Sequence, residues 1–174
     1  GRSYAARGEF EAAIARYNHG IDLLEKPPDK PCKHPFYPVL KNNLCESLSA
    51  GTASAGAAKE CSEAFNANVF ILSDGKTKLP ADDVAWGLWN SARLEPDNTS
   101  ADAIYQYAFD RLRHELERLR PDPTKPPILD QAQVGDVYFQ IGRYSLLDGD
   151  FRSAALFHQA AFDRRQSLPD DPQL

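Results

Sequence analysis

Apolar residues recur along this chain at intervals of three and four, the spacing of one face of a helix. Phe10, Ala13, Ile14, Tyr17, Ile21 and Leu24 form the first stripe and predict a helix over 10–24. Val39, Leu40, Leu44 and Leu48 form a second, beginning near Tyr37. After a soft turn at 51–56, residues 57–66 read as a short helix and 68–80 as a connector. Val84, Trp86, Leu88, Trp89 and Leu94 give the next stripe, opened by Asp82 and Asp83, whose charge suits a helix N-terminus. A long helix then runs to about Leu119, capped by Thr99 or Ser100 and striped by Ile104, Tyr105, Ala108, Phe109, Leu112 and Leu116. Two more helices, over 130–147 and 150–168, flank the tight turn Leu147-Asp148-Gly149-Asp150. Proline clusters around 27–38 and 121–127, with Pro169 and Pro172, punctuate these segments, because proline lacks the donor a helix needs. No stretch alternates as a strand would, so the pattern predicts an all-α chain.

The helices repeat. Ala13, Ala57 and Ala101 are 44 residues apart, and Ala154 follows after 53. Gly8-Glu9-Phe10 precedes the first alanine as Gly149-Asp150-Phe151 precedes the last, and Gly1 and Gly142 each lie twelve residues upstream. A period of this length predicts stacked helical hairpins. Small residues let two backbones approach, and aromatics fill the spaces between them. Four repeats, about 1–26, 36–67, 81–120 and 130–168, make one domain over 1–174. Gly1 already sits partway through a repeat, so we expect a fragment of a larger protein.

The motif resembles that of the tetratricopeptide repeat (TPR) family. The fourth repeat matches through Tyr138, Ile141, Gly142, Gly149, Phe151, Ala154 and Ala161. The first matches through Gly1, Tyr4, Gly8, Phe10, Ala13 and Tyr17, with Gly20 at the second small position. The middle repeats are degenerate: Cys45 stands near the small crossing position of one, and Trp89 or Asn90 near that of the other. The long interval is similar to that of the kinesin light-chain type. The resemblance implies a right-handed α-α superhelix of about four hairpins, whose leading helices line a concave groove. It further implies a non-catalytic adaptor that holds a peptide or partner segment there. Carried onto this chain, the groove-facing residues are Arg2, Lys41, Asn43, Leu88, Phe139, Gln140, Arg143 and Leu146. Cations at Lys41 and Arg143, with apolar Leu88, Phe139 and Leu146, suit an acidic or amphipathic ligand. A subgroup grips the C-terminal carboxylate of chaperones through several converging Lys, Asn and Arg donors. Only Asn43 or Asn42 fits that set, so a chaperone peptide is not the expected ligand.

Composition narrows the partners. The net charge is -5 and the pI near 5.4, without the basic stripe a nucleic-acid surface wants. No apolar run approaches the roughly 20 residues of a membrane span. Cys32, Cys45 and Cys61 are odd in number and widely spaced, which favours free thiols in a reducing, intracellular (cytoplasmic) compartment. Cys32-Lys33-His34 lacks the paired spacing of a zinc site, and the four histidines are isolated, so neither metal, cofactor nor catalytic residue is expected. The mixed charges over 110–118 read as a solvated helix face. Trp86 and Trp89 read as core between hairpins, with a recognition anchor as the alternative. The connector over 27–38 reads equally as a surface insertion or a contact loop. Two other readings of function stand beside the adaptor: a structural module packing within its own protein or complex, and a targeting arm of an enzyme whose catalytic domain lies elsewhere.

Overall fold

The computed structural model describes residues 1–25, 34–51, 56–72, 81–118 and 131–166. Within them lie eight helices and no strand: α1 (Arg2–Ala5), α2 (Phe10–Glu25), α3 (Phe36–Ala50), α4 (Ala57–Leu72), α5 (Ala81–Leu94), α6 (Ala101–Arg118), α7 (Gln131–Leu147) and α8 (Phe151–Gln166). The apolar stripes therefore mark real helices, with one correction. α4 continues six residues past the expected end at 66, because Ala67, Asn68 and Val69 are buried rather than loop. Residues 119–130 and 167–174, and most of the connector at 27–38, lie outside the described residues. His34 and Pro35 precede α3, and Phe36, Tyr37 and Pro38 belong to its first turn.

The helices pack in two layers. α3, α5 and α7 lie side by side, while α4, α6 and α8 follow one another behind them. The first hairpins join through the next leading helix, α2 against α3 and α4 against α5, whereas α7 packs mainly on α5 rather than on α6. The largest core cluster gathers Phe65 and Val69 of α4, Val84, Leu88 and Trp89 of α5, Leu112 of α6, Val137 and Ile141 of α7 and Phe157 of α8. A second joins Ala13, Tyr17 and Ile21 of α2 to Leu44 of α3.

Small residues stand where helices approach. A Cβ added at Gly142 would meet the His158 ring at 2.3 Å, and one at Gly1 would meet the Tyr17 ring at 2.1 Å. At Gly87 it would stand 2.8 Å from the backbone nitrogen of Phe65, so α5 crosses α4 with no room for a side chain. Gly8 and Gly149 turn the chain ahead of α2 and α8 at φ of 76° and 78°, a region glycine enters without steric cost. Ser100 accepts a hydrogen bond from Ala103 N (3.2 Å) and Asp150 one from Ser153 N (3.0 Å), capping α6 and α8.

The free-thiol expectation fails at two of the three cysteines. Cys45 of α3 and Cys61 of α4 form a disulfide, with both residues fully buried. The cysteine argument for a reducing compartment loses its basis with it. Neither sulfur remains as a thiolate ligand, and Cys32 lies outside the described residues. Among the described residues no helix is long and apolar enough to cross a membrane.

Candidate functional site

The leading helices share one open face. A cavity of about 460 Å³ on it is lined by Arg2 of α1, Val39, Asn42, Asn43 and Glu46 of α3, Asp82, Asp83 and Trp86 of α5, and Tyr144 of α7. Four helices far apart in sequence thus meet at one depression, positioned by the α3–α5–α7 layer. A second depression of about 400 Å³ continues from it over Arg2, Phe10, Asn43, Glu46 and Ser47.

Its chemistry is acidic and aromatic. Glu46, Asp82 and Asp83 face one cation, Arg2. The Tyr144 hydroxyl donates to Asp82 Oδ1. Burial, reinforced by Asp82, pushes the Tyr144 pKa far up, so the phenol stays a neutral donor. Burial, with the neighbouring Asp82 charge, also raises Asp83 above the ordinary carboxylate value. The Trp86 ring meets the Tyr144 ring edge-on, 4.9 Å between centroids. Trp86 is half-buried at the groove, whereas Trp89 is 2% exposed and its Nε1 donates to Asp148 Oδ2 at 3.1 Å. Reading both tryptophans as core holds for Trp89 only.

Behind this face, buried amides set the helix spacing. The Asn68 side-chain nitrogen donates to Asn42 Oδ1 (2.9 Å), to Ala64 O (2.9 Å) and to the Asp83 carbonyl (3.3 Å), tying α3, α4 and α5 together beneath the cavity. Asn43 donates to Val39 O, one turn back in its own helix.

The residues expected to face a groove separate into three groups. Arg2 and Asn43 do line the depression. Lys41 does not: it is 6% exposed, and its ammonium is held by Glu63 at 2.6 Å and Glu60 at 3.2 Å, both on α4. Burial alone would lower the Lys41 pKa, but the two carboxylates outweigh it and hold it above the ordinary value. Leu88 is fully buried in the core and has no surface to offer a ligand. Phe139, Arg143 and Leu146 are exposed, one helical face of α7 apart from Tyr144. Phe139 contacts His158 of α8, 5.4 Å between ring centroids, so this face continues from α7 onto α8. Gln140 lies beside it and accepts a hydrogen bond from Arg143 at 2.9 Å.

Sequence reasoning missed Glu46, Asp82, Asp83 and Tyr144 as a group. The sequence marks the aspartates only as helix-opening charges, yet α5 starts on the open face, so a charge placed there for the dipole also lines the cavity. The face of α6 read as solvated is partly so: Arg113 pairs with Asp110 at the surface, but Glu115 is 4% exposed and bound to Arg118 at 2.7 Å. Arg111 reaches back to Asn66 and Ser62 of α4.

Compared with protein-family models, with curated proteins and with solved structures, the chain shows no significant match.

Proposed function

We propose that the protein is a non-catalytic binding scaffold of TPR type, its two layers winding as a right-handed α-α superhelix, and that its open face holds a partner-protein segment. The observation that carries this is the depression shared by α1, α3, α5 and α7. Successive leading helices converge there, as they must where stacked hairpins present one continuous concave surface. A groove with a half-buried tryptophan beside fixed polar groups suits a binding anchor.

The charge of the ligand differs from the acidic partner suggested by Lys41 and Arg143. Neither cation lines the depression: Lys41 is locked between Glu60 and Glu63, and Arg143 lies on the exposed face of α7 beside it. Three carboxylates against one guanidinium favour a segment that carries lysine or arginine, with its aliphatic stem against Trp86. Binding weakens with salt, because these are partly solvated charges.

The test uses the full chain and two synthetic peptides of equal length, one rich in lysine and leucine and one in glutamate and leucine, measured by calorimetry. The basic peptide should bind, and both Asp82→Asn/Asp83→Asn and Trp86→Ala should weaken it at least tenfold. Trp86→Ala changes no charge, so it separates groove binding from general attraction to an acidic protein. Preference for the acidic peptide, or indifference to Trp86→Ala, would sink the proposal.

A further inference from the structure

The two depressions of the open face repeat one another along α3. The first takes Val39, Asn42, Asn43 and Glu46, and the second takes the same places one turn on: Asn43, Glu46, Ser47 and Ala50. Four residues of a helix advance about 6 Å. An extended chain sets alternate side chains on one face at nearly that interval. A segment anchored by a basic residue at Trp86 therefore brings the residue two places away over the second depression.

The polar groups there lack partners. Arg2 and Glu46 carry opposite charges, are both exposed, and form no ion pair with a described residue. The Tyr17 side chain is buried, yet its hydroxyl makes no hydrogen bond within the described residues. Burial and the Glu46 charge hold this phenol above its ordinary pKa, against the lowering effect of Arg2, so it stays neutral. Ser47 is 1% exposed and its hydroxyl is unpaired. The other buried serines are satisfied within the fold: Ser91 donates to Leu88 O, Ser145 to Ile141 O and Ser153 to Asp150. A buried hydroxyl without a partner costs free energy, and Ser47 bears that cost where it lines a cavity.

We infer that the second depression receives a primary-amide side chain, glutamine or asparagine, two residues from the basic anchor of the bound segment. Its carbonyl faces Arg2 and its nitrogen faces Glu46. This rests on the groove reading above and names what the neighbouring subsite selects. One carboxylate against one guanidinium leaves the depression with no net charge. A lysine there meets the like charge of Arg2, and a glutamate meets that of Glu46. A carboxamide is neutral and dipolar, an acceptor for the guanidinium and a donor for the carboxylate. The two hydroxyls act as donor or acceptor to the same group. Ser47 reaches it by turning about its Cα–Cβ bond, a rotation that no hydrogen bond restrains. Ala5, Ala6 and Phe10 supply apolar wall for the methylenes.

Short capped peptides test this. Each has one lysine anchor, with glutamine, alanine, lysine or glutamate two places before or after it, and is titrated into the full chain by calorimetry. In at least one order the glutamine peptide should bind about fivefold tighter than the alanine peptide, the worth of one net hydrogen bond. The lysine and glutamate peptides should bind no tighter than alanine. Tyr17→Phe and Ser47→Ala should each shrink the glutamine advantage and leave the alanine peptide unchanged. Neither variant removes a hydrogen bond within the described fold, and urea titration checks that stability is kept. Equal binding of the glutamine and alanine peptides overturns the inference. So does tightest binding by the lysine or glutamate peptide, or a glutamine advantage undiminished in both variants. The alanine peptide separates this subsite from the groove itself. If it binds, and Trp86→Ala abolishes that binding, a missing glutamine advantage strikes the subsite alone. If no peptide binds, both readings fall.

Discussion

At the residue scale, three positions decide more than their neighbours. Glycine in the middle of a helix costs about 1 kcal/mol against alanine. Gly87 is nonetheless required, since the atoms it would strike are the Phe65 backbone and cannot swing aside. Gly87→Ala should therefore destabilise the fold by about 1–3 kcal/mol in urea titration, the overpacking term exceeding the propensity gain. Lys41 is the second. Its buried ammonium balances Glu60 and Glu63, so Lys41→Ala removes an ion pair and leaves a void. We expect a loss of about 2–4 kcal/mol, and a clearly smaller one for Lys41→Met, which keeps the volume. Equal losses would show that charge alone matters. The third is Asp83. Its folded-state pKa is raised, so the native state holds the proton more tightly than the unfolded chain. Its contribution to stability falls as pH rises from the ordinary carboxylate value through the raised one. Asp83→Asn should thus improve the urea midpoint, relative to the parent, more at pH 7 than at pH 4.

At the scale of helices, the periodicity read from the sequence was sufficient wherever one face is apolar and the other wet. It failed at the end of α4, where Ala67, Asn68 and Val69 are all buried and no wet face exists to mark the period. Crossing points were legible in part. Gly142 and Gly1 meet His158 and Tyr17, each sixteen residues further along the chain. Cys45 and Cys61 hold the same two positions in the second hairpin, sixteen residues apart. Aligning the repeats by their crossings, rather than counting cysteines, would have paired them. Reducing this bond should cost about 2–4 kcal/mol, the usual value for a loop of that length. The expected observation is a lower thermal midpoint with dithiothreitol, abolished in Cys45→Ala/Cys61→Ala.

At the scale of the whole molecule, the candidate site was only half legible. A face shared by leading helices follows from repetition, and Arg2 and Asn43 were placed on it. Which side chain of each helix points to the depression, the core or the outer surface depends on a helix rotation of one residue. Periodicity does not fix that rotation where repeats are degenerate. Lys41 and Leu88 rotate inward, and Glu46 and Trp86 come to the surface in their stead. The resulting acidic field makes a further prediction. Binding of a basic segment should weaken as pH falls from 7 towards 4, beginning earlier than an ordinary aspartate would allow, because Asp83 takes up its proton at a higher pH. Asp83→Asn should shift that titration downward.

The Cys45–Cys61 bond also changes what a cut in the chain would do. It lies across a single hairpin, with the α3–α4 connection between its two ends. A protease site inserted after Gly51 would open the polypeptide into two pieces that stay covalently joined. On a gel without reductant the cleaved protein would run as one species, and with reductant as two. Severed there, the two pieces remain one covalent molecule, and dilution cannot separate them until the disulfide is reduced.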